Sequence, residues 1–352
     1  MGAILDKSTV APTTLTKPGV EDFLLKLNYR RTPYFGTVKK AGNPGAVLYG
    51  YPVEVPPDGD TTPQADGTDI ADSDATDFHT ATYQDLLYAR PHILREVART
   101  GRVANLLINR YGQGKLHAKT VMTKMELLKW RAEKTMMGGQ DSYESAGGGK
   151  TTYQTRGMHV WTGGTRHSGS ADTAAAIPSL AAIESGARIN LGTSGYSAFT
   201  ETNLRAIFQA IFEGTGSEVE LTGYMTPNMK SHLTTILGAT YTPVGSELPL
   251  RHFNSNAESE SRKLKVTRFE SDFGNSTMVP TMAMPSTAAA SGQSPAAYFI
   301  DREFWQMNVV EAIHSENKED NGGGPKTLLQ TCFFHTCRNP KRNGVAYKTN
   351  AP

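Results

Sequence analysis

The chain has 352 residues, of which 38% are apolar, and its formal net charge at neutral pH is +2. This length can hold two ordinary domains or one elaborate domain. The sequence has neither a signal peptide nor an apolar run long enough to cross a membrane. These absences exclude secreted and membrane-spanning classes of protein and predict a soluble chain made in the cytosol.

The first regular element is predicted to be a long β-hairpin. Residues 1 to about 33 are mixed, basic and interrupted by Pro12 and Pro18, which predicts an arm rather than a core. Residues 46–55 alternate between apolar and polar side chains, as half-buried strands do, and residues 80–94 form a second extended segment. The acidic residues between them do not have the spacing of a calcium loop, so we interpret them as a solvated or partner-facing tip.

The charges fall into two adjacent blocks of opposite sign. No Lys or Arg lies between residues 41 and 89, where nine acidic side chains give −9. Residues 90–139 contain eleven Lys and Arg against three Glu, which gives +8. Adjacent blocks of this kind usually indicate an interaction surface.

A long amphipathic helix is predicted over residues 115–137. Apolar side chains recur at spacings of three and four, lysines line much of the opposite side, and Gly138-Gly139 ends the helix. At about 1.5 Å per residue, the helix is about 30 Å long. The predicted apolar stripe, which we interpret as core, consists of Ala118, Val121, Met122, Met125, Leu128, Ala132 and Met136.

Residues 144–152, ESAGGGKTT, resemble the end of a nucleotide-binding loop. Gly149-Lys150-Thr151 fits the pattern, but Glu144 stands where the loop needs its first glycine, and a carboxylate there repels phosphate. No buried strand is predicted before the motif and no clear helix after it. We therefore interpret the segment as a flexible Gly/Ser loop that binds no nucleotide.

The central part of the chain is predicted to be a compact α/β unit. A helix from Glu201 to Glu213 has Thr200 as its N-cap and Gly214 at its end. A strand over residues 218–224 follows, and then a helix with Thr226 as N-cap and Pro227 at its first position. The apolar face predicted for the first helix consists of Leu204, Ile207, Phe208, Ile211 and Phe212.

From residue 264 onward, strands separated by turns are predicted. Asp272-Phe273-Gly274 copies a kinase magnesium motif, but the other kinase motifs are absent. Cys332 and Cys337 would point to opposite faces of a strand and have no second ligand pair, so we interpret them as buried structural thiols. No residues stand at catalytic or metal-binding spacing. We therefore predict no catalytic site, no metal and no cofactor.

Six segments, in order, carry a resemblance to a known family. Together they resemble the major capsid proteins of tailed bacteriophages with the Hong Kong 97-type fold, in a family once catalogued as a domain of unknown function. The similarity spans about residues 32–345, but residues 54–77 and 144–152 depart from the pattern. The segments are TPYFGTVKKAGN (32–43), YQDLLYARPHILREVARTGRV (83–103), LKWRAEKTMMGGQ (128–140), TRGMHVWTGG (155–164), RFESDFGNSTMVPTMAMP (268–285) and YFIDREFWQMNVVEAI (298–313).

The resemblance implies an α+β chain with a defined division of parts. These are an N-terminal arm (1–34), an extended β-hairpin loop (35–89), the first part of a peripheral domain (90–165) with the spine helix 115–137, an axial α/β domain (166–261), and the second part of the peripheral domain with the C-terminal tail (262–352). In this division, residues 144–152 are a mobile link after the spine helix.

The resemblance also implies a function and partners. The chain would self-assemble as hexamers and pentamers into the icosahedral head of a tailed bacteriophage, around its double-stranded DNA genome. Implied partners are copies of the chain itself, a portal protein and the packaged DNA, which is contacted without sequence specificity. No membrane is implied as a partner. The resemblance is also compatible with separate scaffolding and decoration proteins, and no fused scaffolding domain is expected. The alternatives are an encapsulin-like nanocompartment shell protein of the same fold and an enzyme with an unrecognised site.

The charge blocks then predict an interface between subunits. The acidic hairpin tip extends tens of ångströms from its base, at about 3.3 Å per residue, so it reaches a neighbour's basic helix more easily than its own. The predicted contact residues are Asp66, Asp69, Asp72 and Asp74 on the tip and Lys115, Lys119, Lys124 and Lys129 on the helix.

Overall fold

The computed structural model contains helices and strands arranged around two sheets. It describes residues 31–55, 66, 84–107, 116–147, 150–163, 177, 181–238, 267–285, 293–320 and 322–349. The helices in these ranges are α1 (Pro33–Thr37), α2 (Arg102–Leu107), α3 (Leu116–Met136), α4 (Met158–Trp161), α5 (Glu201–Thr215) and α6 (Pro227–Gly238). The strands are β1 (Lys39–Ala41), β2 (Tyr49–Glu54), β3 (Gln84–Ala89), β4 (His92–Arg99), β5 (Tyr143–Gly147), β6 (Lys150–Gln154), β7 (Arg188–Asn190), β8 (Val219–Met225), β9 (Arg268–Ser271), β10 (Gly274–Pro280), β11 (Gln293–Ile300), β12 (Trp305–Lys318), β13 (Lys326–Cys337) and β14 (Asn343–Thr349).

A four-stranded sheet has the strand order β1-β12-β13-β4, and α3 packs across one of its faces. β12, β13 and β4 are antiparallel neighbours, whereas the short β1 runs parallel to β12. Leu94, Leu329 and Phe333 of the sheet join Leu128 and Met136 of α3 in the first core. Side chains alternate along a strand, so the residues next to these in sequence lie on the opposite face of the sheet.

The long helix is confirmed, but its predicted apolar stripe is only partly buried. The buried residues of α3 are Leu128, Trp130, Ala132, Glu133 and Met136, in its C-terminal half. In the N-terminal half, Ala118 is exposed and Met122 is 69% exposed, so a continuous buried stripe is the wrong prediction. The sheet packs against α3. The short helix α1 packs against α3 as well and is hydrogen-bonded to Glu133, which lies in the C-terminal half where the residues are buried.

The segment around α1 belongs to the body of the subunit rather than to an arm or a loop. Tyr34 and Phe35 are buried in the first core, and β1 follows as the edge strand of the four-stranded sheet. Pro33 starts the turn at a position where its missing N–H is tolerated, and the two aromatic side chains then supply the apolar surface that packs. The predicted limit between residues 34 and 35 therefore runs through one packed element.

The two predicted hairpin strands are present as β2 and β3. They pair antiparallel, with Tyr49 opposite Ala89 and Glu54 opposite Gln84. The alternation of Tyr49, Tyr51 and Val53 places these side chains on the face that packs against the first core.

Residues 143–147 and 150–154 form a second hairpin, so the interpretation of this segment as a loop is wrong. β5 pairs antiparallel with β6, with Tyr143 opposite Gln154 and Gly147 opposite Lys150. Thr151, Thr152 and Tyr153 favour an extended backbone. Glu144, which argued against phosphate, instead forms an ion pair with Arg90.

The predicted α/β unit is built on a six-stranded sheet with the order β7-β14-β11-β8-β10-β9. The Oγ1 atom of Thr200 accepts a hydrogen bond from the backbone N–H of Asn203 at 3.3 Å, which confirms the predicted N-cap of α5. The helix ends at Gly216 rather than at Gly214, because Gly216 adopts the left-handed conformation (φ 65°) that terminates helices. The second core contains Leu204, Ile207, Phe208 and Ile211 of α5, Met229 and Leu233 of α6, and side chains of the sheet.

The strand pairing does not follow the division expected between residues 261 and 262. β7 and β8 precede this point, whereas β9, β10, β11 and β14 follow it, and all six share one sheet. The two sheets are therefore better units of description than the sequence segments. The first core lies between them, since it also contains Tyr224, Tyr298 and Val345 of the six-stranded sheet.

The Asp-Phe-Gly motif is the turn between β9 and β10. Gly274 has φ 145°, and a Cβ atom there would lie 2.2 Å from the carbonyl oxygen of Val219. The glycine is therefore required by the backbone geometry of this turn. Both cysteines are free thiols, but only Cys337 is buried; Cys332 is half-buried, which corrects that prediction.

None of the described helices combines the length and the apolar character that a bilayer crossing demands.

Candidate functional site

The base of the first hairpin is fixed against the four-stranded sheet by aromatic contacts. The ring centroid of Tyr49 lies 5.0 Å from that of Tyr51 and 6.1 Å from that of Phe334 on β13. The guanidinium of Arg338 lies over the Tyr51 ring at 5.3 Å. Leu87 and Ala89 of β3 are buried as well. Such contacts anchor the described part of the hairpin to the body of the subunit.

The predicted acidic tip is represented by one described residue. Asp66 is exposed, as expected for a contact on the tip. Asp69, Asp72 and Asp74 lie outside the described residues. On the hairpin strands and the segment before them, Leu86 and Val47 are large apolar side chains that are exposed, so the hairpin presents apolar surface in addition to charge.

The predicted lysines do not form a uniform basic surface. Lys129 is exposed and Lys119 is half-buried, whereas Lys115 lies outside the described residues. Lys124 donates from Nζ to Glu96 Oε2 at 3.1 Å, within the same chain, and Arg131 binds the other oxygen of that carboxylate. Part of the basic block is therefore neutralised internally.

Glu96 is the residue that sequence reasoning missed at this place. Burial raises the pKa of its carboxyl, but hydrogen bonds from Arg131 and Lys124 outweigh burial and lower the pKa below the ordinary value. Glu96 lies 28 and 35 residues from its partners, so only the pairing of β4 beneath α3 brings the three together. No local sequence pattern predicts this.

The four-stranded sheet has an open face, which we define as the exposed face opposite α3 that carries Ile93, Val97, Leu328 and Cys332. On β4, Ile93 is 43% exposed and Val97 is 54% exposed, and they alternate with the exposed Arg95 and Arg99. The strand register places Ile93 beside Cys332 and Val97 beside Leu328. The result is an apolar strip edged by guanidinium groups, a combination that favours contact with an acidic partner carrying apolar side chains.

The open face was missed because β4 carries apolar side chains on both faces. In His92–Arg99, Leu94 and Ala98 enter the core while Ile93 and Val97 stay outside. An antiparallel strand with one solvated face usually alternates cleanly between apolar and polar residues. The departure from this alternation was the available signal.

A buried polar cluster connects α1 to the rest of the subunit. Tyr34 donates its hydroxyl proton to His335 Nε2 at 2.8 Å, because Nδ1 of His335 must donate to the carbonyl oxygen of Arg156 at 3.0 Å. Burial lowers the pKa of His335 to about 4 and raises that of Cys337 to about 12, so near neutral pH the imidazole is uncharged and the thiol protonated. These hydrogen bonds link α1 to β13 and to the segment at Arg156.

The described residues contain no group of three or more His, Cys, Asp or Glu side chains arranged to hold a metal ion. What they do contain is exposed, partly apolar surface on two elements, the first hairpin and the open face. The arrangement is suited to binding other protein surfaces.

The comparisons with known proteins agree with this description. The family model described as SU10 major capsid protein matches residues 7–350. Among solved structures, the capsid of the cyanophage P-SCSP1u is similar with a TM-score of 0.56 and 10% identity, covering 97% of both chains. The capsid of a native GTA particle has a TM-score of 0.57 and 9% identity, covering 99% of this chain and all of the other.

A third similar structure is that of Mycobacterium phage Bobi, with a TM-score of 0.54 and 10% identity, covering 99% of this chain and all of the other. At these identities the structural likeness shows the fold, which is the mixed helix and sheet fold of phage capsid proteins, of Hong Kong 97 type. No curated protein sequence matches the chain.

Proposed function

Since the chain belongs to the SU10 major capsid protein family, and is thus a structural component of a tailed-phage capsid, we propose that its hexamers and pentamers close an icosahedral shell around a double-stranded DNA genome. The match over residues 7–350 favours this capsid role over the encapsulin-like alternative. The proposal includes no enzymatic step, since the titratable groups of the buried cluster are held in structural roles.

We assign the parts of the subunit by sheets rather than by sequence segments. The six-stranded sheet with α5 and α6 is the axial part, which surrounds the centres of hexamers and pentamers. The four-stranded sheet with the spine helix α3 is the peripheral part. Residues preceding α1 form the arm, and the hairpin of β2 and β3 is the extended loop. The strand orders of the two sheets, which share no strand, support this assignment.

The observation that carries the assembly proposal is the open face, whose apolar side chains are exposed. The exposed Ile93 and Val97 lose their contact with water when another surface covers them, which stabilises association by roughly 25 cal/mol per Å² of apolar surface. A single subunit leaves these side chains exposed. We propose that the hairpin of a neighbouring copy covers them.

Charge favours the hairpin as that partner. The hairpin region between residues 41 and 89 has nine acidic residues and no Lys or Arg, and Asp66 is exposed. Arg95 and Arg99 alternate with the apolar residues of the open face. Because Lys124 is already bound to Glu96, we place the contact on the open face rather than on the lysines of α3, which lies on the other face of the sheet.

The electrostatic contribution is distributed over many weak pairs. An exposed pair contributes about 0.2–1 kcal/mol, so no single pair decides whether subunits associate. Repeated over every contact in a shell, such pairs set the encounter rate and orientation of the incoming subunit. The apolar strip then supplies affinity that salt does not screen.

The remaining partners are a portal protein, packaged DNA and, where present, separate scaffolding and decoration proteins. DNA contact is expected to be weak and independent of sequence, since the chain has no base-reading motif and a net charge of only +2. A shell that has to release its genome gains nothing from tight binding.

A crosslinking experiment tests the hairpin contact. A photo-reactive amino acid placed at Leu86 is incorporated into chains that are mixed, before assembly, with isotope-labelled chains. Crosslinks between labelled and unlabelled peptides that map to β4 or β13 support the proposal. Crosslinks confined to one chain, or to a neighbour's six-stranded sheet, contradict it. Electron microscopy of the same sample shows whether shells or capsomer-like tubes form, or only small oligomers.

A further inference from the structure

One buried residue, Tyr34, touches both halves of the subunit. Its ring lies edge-on to Tyr224 of the six-stranded sheet, with 5.5 Å between centroids, and edge-on to Trp305 of the four-stranded sheet at 6.4 Å. Its hydroxyl binds His335 on β13. Thr37, at the end of the same turn, lies 2.9 Å from the hydroxyl of Tyr224. The turn is thus packed where the two sheets meet.

The spine helix holds this turn through a single carboxyl group. Glu133 of α3 is fully buried, and its Oε1 and Oε2 atoms accept hydrogen bonds from the backbone N–H groups of Tyr34 (3.1 Å) and Phe35 (2.5 Å). A carboxylate with two oxygens is suited to two adjacent N–H donors. Any movement of the turn away from α3 breaks both bonds and exposes Glu133 to water.

The groups that face Glu133 leave it without a neutralising charge. Tyr34 of α1 and Tyr224 of β8 are protonated phenols, and His335 beyond Tyr34 is neutral. Lys40 of β1 lies over the ring of Phe35, 5.1 Å from its centroid, and Arg302 interacts with Tyr224. On α3 itself, Lys129 and Lys134 are exposed. Within the described residues, no Lys or Arg forms an ion pair with Glu133.

We infer that Glu133 and the Tyr34 turn form a proton-controlled latch, which holds the arm and the hairpin to the body more firmly when Glu133 is protonated than when it is ionised. The arm enters the turn at Thr32, and β1 leaves it toward the hairpin. Opening of the latch therefore changes the position of both extensions relative to the joint between the sheets. The contacts lie within one chain, so the inference does not depend on the proposed contact between subunits.

The direction of the pH effect follows from linkage. Burial raises the pKa of Glu133 to about 7 in the closed latch, although the two N–H donors lower it, whereas a hydrated glutamate has a pKa of 4.5. The closed latch therefore binds the proton more tightly than the open latch. Its stability is greatest below pH 4.5, falls as pH rises through 7, and then levels off.

Hydrogen exchange of the full chain tests this latch, on both unassembled subunits and assembled particles. The opening constant of a peptide spanning residues 32–38, corrected for the intrinsic exchange rate, is expected to rise roughly 50-fold from pH 5 to pH 8. A peptide within β11 serves as an internal reference and is expected to show no such rise.

Three variants separate the latch from simple packing. Glu133→Gln cannot ionise, so its opening constant is expected to be higher at pH 5 and independent of pH. Tyr34→Phe loses the bond to His335 but keeps the carboxyl, so the latch opens more often with an unchanged pH dependence. Glu126→Gln, on the exposed side of α3, should behave as the unmodified chain does. A pH-independent opening constant in the unmodified chain, or a 50-fold rise that persists in Glu133→Gln, overturns the inference. If Glu133→Gln does not fold, the pH dependence of the opening constant in the unmodified chain and in Tyr34→Phe still tests the latch.

Discussion

Lys124, in the middle of α3, binds Glu96 on the adjacent edge strand, with 3.1 Å between Nζ and Oε2. Arg131 binds the same carboxylate, and its Nη1 also donates to the carbonyl oxygen of Arg95 at 3.0 Å. One acidic residue thus ties the spine helix to β4. The bonds also occupy backbone and side-chain groups of an edge strand, which limits unwanted strand pairing along that edge.

Replacing this carboxylate should weaken the subunit in a pH-dependent way. The pKa of Glu96 is lowered in the folded chain, so its contribution to stability is present above the unfolded value of 4.5 and is lost as pH falls through the folded pKa. Glu96→Gln is expected to lower the free energy of unfolding by about 1 kcal/mol at pH 7. Urea unfolding at pH 7 and pH 3.5 checks this. An equal loss at both pH values would contradict the ion-pair explanation.

Neutralising the acidic tip should slow assembly without affecting the fold. Conversion of four aspartates to asparagine, namely Asp66, Asp69, Asp72 and Asp74, removes attraction to the basic surface of a neighbour. Light scattering is expected to show slower assembly with a weaker salt dependence, because at about 1 M salt the Debye length is near 3 Å and screens the remaining attraction. Thermal unfolding of the free subunit should hardly change.

A matched control keeps the change in net charge and moves it elsewhere. Four exposed glutamates outside the hairpin, Glu213, Glu220, Glu270 and Glu319, are converted to glutamine. This variant is expected to assemble at a rate close to that of the unmodified chain. If both variants assemble equally slowly, net charge rather than the hairpin tip is responsible. If the tip variant assembles normally, the tip is a solvated loop.

Polar substitutions on the open face should weaken assembly and spare stability. Ile93 and Val97 are exposed, so Ile93→Thr with Val97→Thr keeps strand propensity and is expected to change the unfolding free energy by less than about 0.5 kcal/mol. The same double variant should raise the protein concentration needed for shells to form, measured by sedimentation. Leu94→Ala on the buried face serves as the contrast, with an expected loss of about 2–4 kcal/mol.

The glycine of the Asp-Phe-Gly turn should tolerate no side chain. In Gly274→Ala, the added Cβ would meet the carbonyl oxygen of Val219 at 2.2 Å and force apart the parallel strands β8 and β10. Thermal unfolding is expected to show a loss above about 2 kcal/mol. Gly216→Ala, where φ is 65° but the space is open, should cost only about 1 kcal/mol. Equal losses of stability in the two variants would show that the positive φ alone, and not the contact with Val219, determines the cost of the substitution.

Nucleotide binding is expected to be absent. Lys150 is part of the β5–β6 hairpin and pairs with Gly147, so it does not have the strand–loop–helix setting of a phosphate-binding lysine. Calorimetry with ATP and Mg²⁺ should show no saturable heat for the unmodified chain or for Lys150→Ala. Saturable binding that the substitution abolishes would disprove the interpretation.

Sequence reasoning succeeded where a local pattern determines the structure. The period of α3, the Thr200 cap of α5 and the Pro227 start of α6 are set by residues within a few positions of each other, and all three were found. The long-range order of six weak segments likewise gave the family. Glycine content misled the prediction for residues 144–152, because the threonines and tyrosines beside the glycines determine the extended backbone.

The candidate site was less predictable, because it depends on contacts between distant residues. Charge counts treated Lys124 as available, although β4 brings Glu96 to it. They also counted Glu133 as part of a basic surface, although it is buried against Tyr34, 99 residues away in sequence. Neither pairing has a local signature, since each requires the sheet, the helix and the α1 turn to be in place.

The position of β14 has a consequence for synthesis of the subunit. This strand, Asn343–Thr349, lies inside the six-stranded sheet, between β7 and β11. On a ribosome, β7 emerges more than a hundred residues before the strand it pairs with, so the sheet cannot close until residue 349 has left the exit tunnel. A nascent chain therefore lacks a finished six-stranded sheet, and we expect this order of synthesis to delay the entry of a subunit into a growing particle until its chain is complete.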